Sequence, residues 1–183
     1  MIKEKGFTLI EAIMVMAIIG ILSVTGAYLM VYLVQNSVFI PSKLNMDMVA
    51  VGALDIMIEG DSNAKGLRFS KSITSIQDNQ VIFNNQDSQS IRYRLDTGTS
   101  KLYYSIGAGS EALIPYYVTS GINITGKSNK LFTYYDASDN ETSSAALVRR
   151  IKIVLIARTG TGSYADWQGQ SEQGSSIKVS KYE

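Results

Sequence analysis

Glu11 is the residue whose chemistry most needs an explanation. It stands four residues after an apolar run that begins at Phe7, and from Ala12 to Val34 another 23 residues carry no charge. A carboxylate at the centre of a bilayer costs about 2.5–3.5 kcal/mol, less near an interface, so in a membrane Glu11 asks for a cationic or hydrogen-bonding partner. Few other residues offer chemistry. The chain has no His and no Cys, which removes the imidazole base, the thiol nucleophile, the disulfide and the zinc cluster together. No Gly-x-Ser-x-Gly elbow, Ser-x-x-Lys pair or Walker-type phosphate loop is present. Asp136-Ala137-Ser138-Asp139-Asn140-Glu141 gathers oxygen ligands, but it lacks the alternating acids and central glycine of a calcium loop and reads as a solvated turn. No enzyme activity, cofactor or resident metal is expected.

The element that must position Glu11 is a helix. A helix over the charge-free stretch spans about 35 Å, enough for the apolar core of a bilayer. Gly20 and Gly26 interrupt it only mildly, as membrane helices tolerate. Lys3, Glu4 and Lys5 precede it, and the positive-inside bias puts the N-terminus in the cytoplasm and the remainder outside. A cleaved secretory signal needs a shorter apolar core of about 7–15 residues. Thr25-Gly26-Ala27 offers a weak cleavage site, yet the apolar residues continue through Val34.

Lys5-Gly6-Phe7-Thr8-Leu9-Ile10-Glu11, followed by that helix, closely resembles the signal of type IV pilins and pseudopilins. The resemblance implies cleavage between Gly6 and Phe7 by a membrane-embedded prepilin peptidase, N-methylation of Phe7, and retention of the apolar helix in the mature protein. It also implies a role for Glu11 in assembly, meeting the N-terminal ammonium of the subunit above it. A chain that keeps Glu11 then sits beneath at least one other subunit. Gly20 falls where these helices carry a glycine. The proline that many of them carry about eight residues later is Tyr28 here, so a kink is expected between Gly20 and Gly26 or at Pro41, which should push Ile40 from helical angles. Some pseudopilins bind calcium in loops like Asp136–Glu141, which keeps that alternative beside the solvated turn.

Beyond Pro41, Leu44, Met48, Val51, Leu54 and Met57-Ile58 recur at three- to four-residue spacing, predicting an amphipathic helix whose apolar stripe packs on a sheet. Gly60 should end it. The period then changes. Ser72–Ile76, Gln80–Phe83, Ser90–Leu95 and Lys101–Ile106 predict a four-stranded antiparallel meander, turning at Asp78-Asn79 and at Asp96–Thr99. Ile114–Val118, Lys130–Tyr135 and Val148–Arg158 predict a second strand group. The Gly-, Ser- and Gln-rich tail from Thr159 reads as loop, closing with a short strand at Ile177–Val179. Arg150, Lys152 and Arg158 share one face of the last strand, with Arg149 on the other, and read as the solvated face of an edge strand. The pairs Tyr103-Tyr104, Tyr116-Tyr117 and Tyr134-Tyr135 should each place one ring in the core and one in solvent.

The expected fold is α+β: a long N-terminal helix, apolar then amphipathic, on an antiparallel sheet. The expected division is leader 1–6, transmembrane and filament-core helix 7–40, and extracytoplasmic domain 41–183. With 17 basic and 16 acidic residues the net charge is +1, which gives no support for a nucleic-acid partner. Helix, meander and a basic-apolar strand in the last third resemble the larger minor pilins of the PilW type and the J-type minor pseudopilins. The resemblance implies a low-abundance subunit of a type IV pilus tip or initiation complex. Its partners would be the prepilin peptidase, other pilins and an inner-membrane assembly platform. It would be single-pass in the inner membrane before assembly and in a cell-surface filament afterwards. The alternatives are a minor pseudopilin of type II secretion and, from another class, an anchored extracytoplasmic binding protein that never polymerises.

Overall fold

The computed structural model describes residues 8–114, 122–159 and 170–179. Gly6, Phe7, the expected strand residues Pro115–Val118 with Tyr116-Tyr117, and the tail at 160–169 lie outside the described residues. Two compact units divide the chain, Met1–Pro41 and Ser42–Glu183.

A single helix, α1 (Leu9–Glu59), contributes to both. In the first unit the described residues are helical from Leu9, and the large apolar side chains from Leu9 to Val34 are exposed. Ile40 and Pro41 both lie within α1, contrary to the expectation that Pro41 pushes Ile40 from helical angles. Proline inside a helix removes one amide donor and crowds the carbonyl four residues earlier, a cost of about 3 kcal/mol. The turns on either side keep their own bonds, so the loss stays local.

In the second unit α1 ends at Gly60, whose φ of +98° reverses the chain while its amide still donates to the Ile56 carbonyl at 2.9 Å. A Cβ there would overlap the Ala64 carbonyl, so only glycine fits. Strands β1 (Ser70–Gln77), β2 (Gln80–Asn85), β3 (Ser90–Asp96) and β4 (Lys101–Ile106) form the expected antiparallel meander, and a short β5 (Ala112–Leu113) adds to its edge. The Asp96 carboxylate closes the β3–β4 turn by accepting the Gly98 amide at 3.0 Å. Ile114 belongs to no strand; it is buried, and its amide donates to the Leu102 carbonyl.

The remaining strands make a second antiparallel sheet: β6 (Ile122–Gly126), β7 (Phe132–Tyr135), β8 (Arg150–Thr159) and β9 (Gln170–Lys178). β8 is its centre. β9 pairs along one side, from Arg150↔Lys178 to Arg158↔Gln170, and β6 and β7 lie end to end on the other. Two expectations are corrected here. β8 is an interior strand rather than an edge. The tail holds a nine-residue strand rather than a three-residue one, because β8 supplies the ladder that its polar residues do not specify. The sheet residues form two sheets joined at their turns: the Leu131 amide donates to the Asp78 carbonyl at 2.9 Å, and the Ile124 amide to the Ser100 carbonyl at 2.9 Å.

Both sheets and the last turns of α1 enclose one core, with Phe83, Tyr93, Leu102, Phe132, Ile151 and Ile153 fully or almost fully buried. The helix presents Met46, Val49, Ala50, Ala53, Leu54, Ile56 and Met57 to it. The stripe read from the sequence was therefore partly out of phase: Leu44, Met48 and Val51 are exposed by 59%, 65% and 52%. Of the expected stripe only Leu54, Met57 and the half-buried Ile58 face inward. Two alanines, Ala50 and Ala53, lie on the true inner face, and the Tyr93 hydroxyl donates to the Ile56 carbonyl at 3.2 Å.

Candidate functional site

The start of α1 is a capping box. Thr8 stands before the first helical residue, and the first helical bond runs from the Ala12 amide to the Thr8 carbonyl at 3.2 Å. The Glu11 amide donates to the Thr8 hydroxyl oxygen at 3.4 Å, and the Thr8 amide donates back to Glu11 Oε2 at 3.4 Å. The Thr8 hydroxyl also donates to Oε2, at 3.3 Å. Such reciprocal bonds satisfy two of the amides that every helix start leaves orphaned. Thr-x-x-Glu before an apolar run is legible in sequence, and Thr8 is the residue that the sequence reading passed over.

From Leu9 to Ser37 the helix runs 29 residues without burying that face on its own chain. Its serine and threonine hydroxyls bond the helix's own carbonyls: Ser23 that of Ile19 at 2.7 Å, Thr25 that of Leu22 at 3.0 Å and Ser37 that of Val34 at 2.9 Å. That is what an apolar solvent demands of polar groups in a helix. Glu11 is the one charged residue in this stretch. A Cβ at Gly20 or Gly26 would meet open space among the described residues, so none of these requires glycine at either position.

The other candidate sites do not converge. Asp136 Oδ1 is taken by the amides of Ser138 at 2.8 Å and Asn140 at 2.9 Å. Asp139 pairs with Arg150 at 3.0 Å, and Glu141 with Lys130 at 3.6 Å. The six-residue loop Asp136–Glu141 thus spends its acids on its own turn and on two cations, and among the described residues no three acidic groups are placed to hold a metal ion. On β8, Arg150 lies over the Tyr135 ring at 4.0 Å, while Lys152 and Arg158 are exposed. Tyr134 is buried and Tyr135 half-buried, as the alternation predicts, whereas Tyr103 and Tyr104 are both half-buried.

A groove of about 390 Å³ beside β7 is lined by Ile76, Asp78, Lys130, Phe132, Tyr134 and Glu141. Its one amine is held between two carboxylates, Asp78 at 3.5 Å and Glu141 at 3.6 Å. Those charges raise the Lys130 pKa above its ordinary value, the opposite of what a nucleophilic lysine needs. Burial pushes the Tyr93 and Tyr134 hydroxyls up. Hydrogen bonds hold Glu111 and Asp96 down, from Arg94 and from the Gly98 amide respectively. Each of these shifts moves a group away from neutrality, where acid–base catalysis needs it.

Residues 1–27 match the prokaryotic N-terminal methylation motif. That motif is a signal of the type carried by type IV pilins and pseudopilins, and here it precedes a long apolar helix and antiparallel sheets in an α+β, pilin-like arrangement. Comparison with curated proteins and with solved structures found no match.

Proposed function

We propose that the protein is a minor type IV pilin. In this reading it is cut between Gly6 and Phe7 and methylated at Phe7. Residues 7–40 hold it in the inner membrane with its N-terminus cytoplasmic, and residues 41–183 form the extracytoplasmic domain. Assembly moves the helix from lipid into a bundle of similar helices at a pilus tip or initiation complex. There the Glu11 carboxylate meets the N-terminal ammonium of a neighbouring subunit, which relieves two charges that are each costly in an apolar medium. The function is structural, and its partners are the peptidase, other pilins and the assembly platform.

The observation that carries this reading is the exposed apolar helix with a single carboxylate in its first turn, directly within the matched signal. Two features support the bundle over a plain anchor. Gly20 and Gly26 are not required by packing among the described residues, and small residues let helices approach closely. Leu44, Met48 and Val51 also stay exposed in the second unit, an apolar strip that an isolated soluble domain has no reason to keep.

Co-expression with a prepilin peptidase tests the reading. The chain should lose the mass of its six-residue leader and gain a methyl group on Phe7, and an unchanged mass would refute it. Glu11→Leu should still insert and be cut, but be lost from sheared filaments. Equal incorporation of that variant would remove the pairing role.

A further inference from the structure

We propose that the outer face of the second sheet carries a binding site for an acidic sugar: a depression at Gly174, with the Lys152 ammonium at one end and the Glu172–Lys127 pair at the other. The site goes beyond the assembly role and uses no residue of α1. Residues directly opposite in an antiparallel ladder share a face. Lys152↔Ser176, Val154↔Gly174 and Ile156↔Glu172 therefore stand in rows, on the face turned away from Ile151, Ile153 and Leu155 in the core. Gly174 interrupts these rows. A depression of about 370 Å³ opens there, bounded by Lys127, Lys152, Val154, Glu172 and Ser176. A Cβ at Gly174 would come no closer than 3.4 Å to the Ile153 carbonyl and 3.7 Å to Val154 Cγ2. Those are ordinary contacts, so packing does not demand glycine, and its missing side chain leaves the half-buried Val154 as an apolar floor.

The polar groups around that floor differ in what they can still bind. Lys127 is held by Glu172 at 2.8 Å, and Arg150 by Asp139 at 3.0 Å and by the Tyr135 ring. Lys152 is exposed and has no ion pair among the described residues. The Ser176 hydroxyl accepts from Arg150 Nη1 at 3.3 Å, which leaves its own proton to donate. The depression thus offers an ammonium for a carboxylate, Glu172 as an acceptor for hydroxyls, a serine donor, and a floor for ring C–H groups. Glu172 and Asp139 repel a polymer charged at every step, as a nucleic acid is, and an acidic peptide brings few hydroxyls to Glu172. A sugar acid carries one carboxylate among several hydroxyls. Glu172 lies opposite Ile156, four residues along β8 from Lys152, or about 13 Å, which suits a disaccharide unit better than a single ring.

The test uses the full-length protein in a non-ionic detergent, with oligomers of galacturonate, glucuronate and sialic acid as probes and binding read by calorimetry. At least one of them should bind. The same oligomer with its carboxyls reduced to alcohols should bind about tenfold more weakly, the scale of a lost charge-assisted hydrogen bond. Lys152→Gln should lose a similar factor, and should lose nothing further against the reduced oligomer. Gly174→Thr should abolish binding while its circular-dichroism spectrum and urea midpoint stay at or above wild type. Arg158→Gln, on the same face but beyond the depression, should bind as wild type does. Binding by none of the three oligomers, or wild-type binding by Gly174→Thr, would overturn the site. Equal losses in Lys152→Gln and Arg158→Gln, or equally tight binding of polyglutamate or single-stranded DNA, would make the face a diffuse polyanion surface and overturn the sugar assignment.

Discussion

Met48 and Met57 lie nine residues apart on α1, and replacing each by alanine should give very different results. Met57 is completely enclosed by the core, whereas Met48 is 65% exposed. Removing a buried methionine side chain costs about 2–5 kcal/mol, the transfer term plus the cavity left behind. Alanine at an exposed helical site changes stability by no more than about 0.5 kcal/mol. The assay is urea unfolding of a fragment spanning Ser42–Glu183, the second compact unit, followed by circular dichroism. With a slope of about 2 kcal/mol/M, Met57→Ala lowers the midpoint by about 1–2.5 M and Met48→Ala by about 0.25 M or less. The slope itself should not change. Equal shifts for the two variants would mean that Met48 also faces the sheet, and the phase assigned to the helix would be wrong. Within the filament the order reverses, because Met48→Asp should leave the fragment's stability alone and impair incorporation.

Three further outcomes follow from individual residues. Gly6→Val should leave an uncleaved precursor, since the peptidase must accommodate a residue without a side chain before the scissile bond; N-terminal sequencing that finds Phe7 first would refute the site. Gly126→Ala should destabilise the second unit by about 1–3 kcal/mol in the same urea assay, because its Cβ would overlap the Lys130 carbonyl, backbone against backbone; an unchanged midpoint would show that the loop at 127–131 moves aside. Glu111 is held below its ordinary value of 4.5 by the hydrogen bond from Arg94, with Arg92 at 3.6 Å adding to it. A depressed carboxyl contributes stability that is fully present above its unfolded value and is lost as pH falls through the lower folded value. Glu111→Gln should therefore reduce the fall in urea midpoint on acidification below pH 4.5, and an unaltered profile would show that the pair contributes nothing.

What the sequence made legible divides by range. The signal around Gly6, Phe7 and Glu11 is local, carried by a few adjacent residues, and so is the meander, whose turns at Asp78-Asn79 and Asp96–Thr99 announce themselves. β8 was legible because Ile151, Ile153 and Leu155 alternate with charged and smaller apolar neighbours. β9 was not. Gln170-Ser171-Glu172-Gln173-Gly174-Ser175-Ser176 has little intrinsic preference for a strand. It becomes one because β8 offers nine consecutive partners across the chain, and nothing near residue 170 reveals that.

The phase of α1 shows a different limit. Hydrophobic periodicity assigns an inner face when the opposite face is polar, and here both faces are apolar over several turns. Leu44, Met48 and Val51 form one arc; Met46, Val49 or Ala50, Ala53 and Met57 form another. The larger and more regular arc drew the assignment. The signal that discriminates is size: Ala50 and Ala53 mark the inner side, and both are fully buried. A helix that must satisfy only its own sheet has no use for the second arc, which exposes apolar surface to water without return. In the proposed filament role α1 packs on its own sheet and also among its neighbours, which needs both arcs, and the face left bare in the single chain is the one such an assembly would cover.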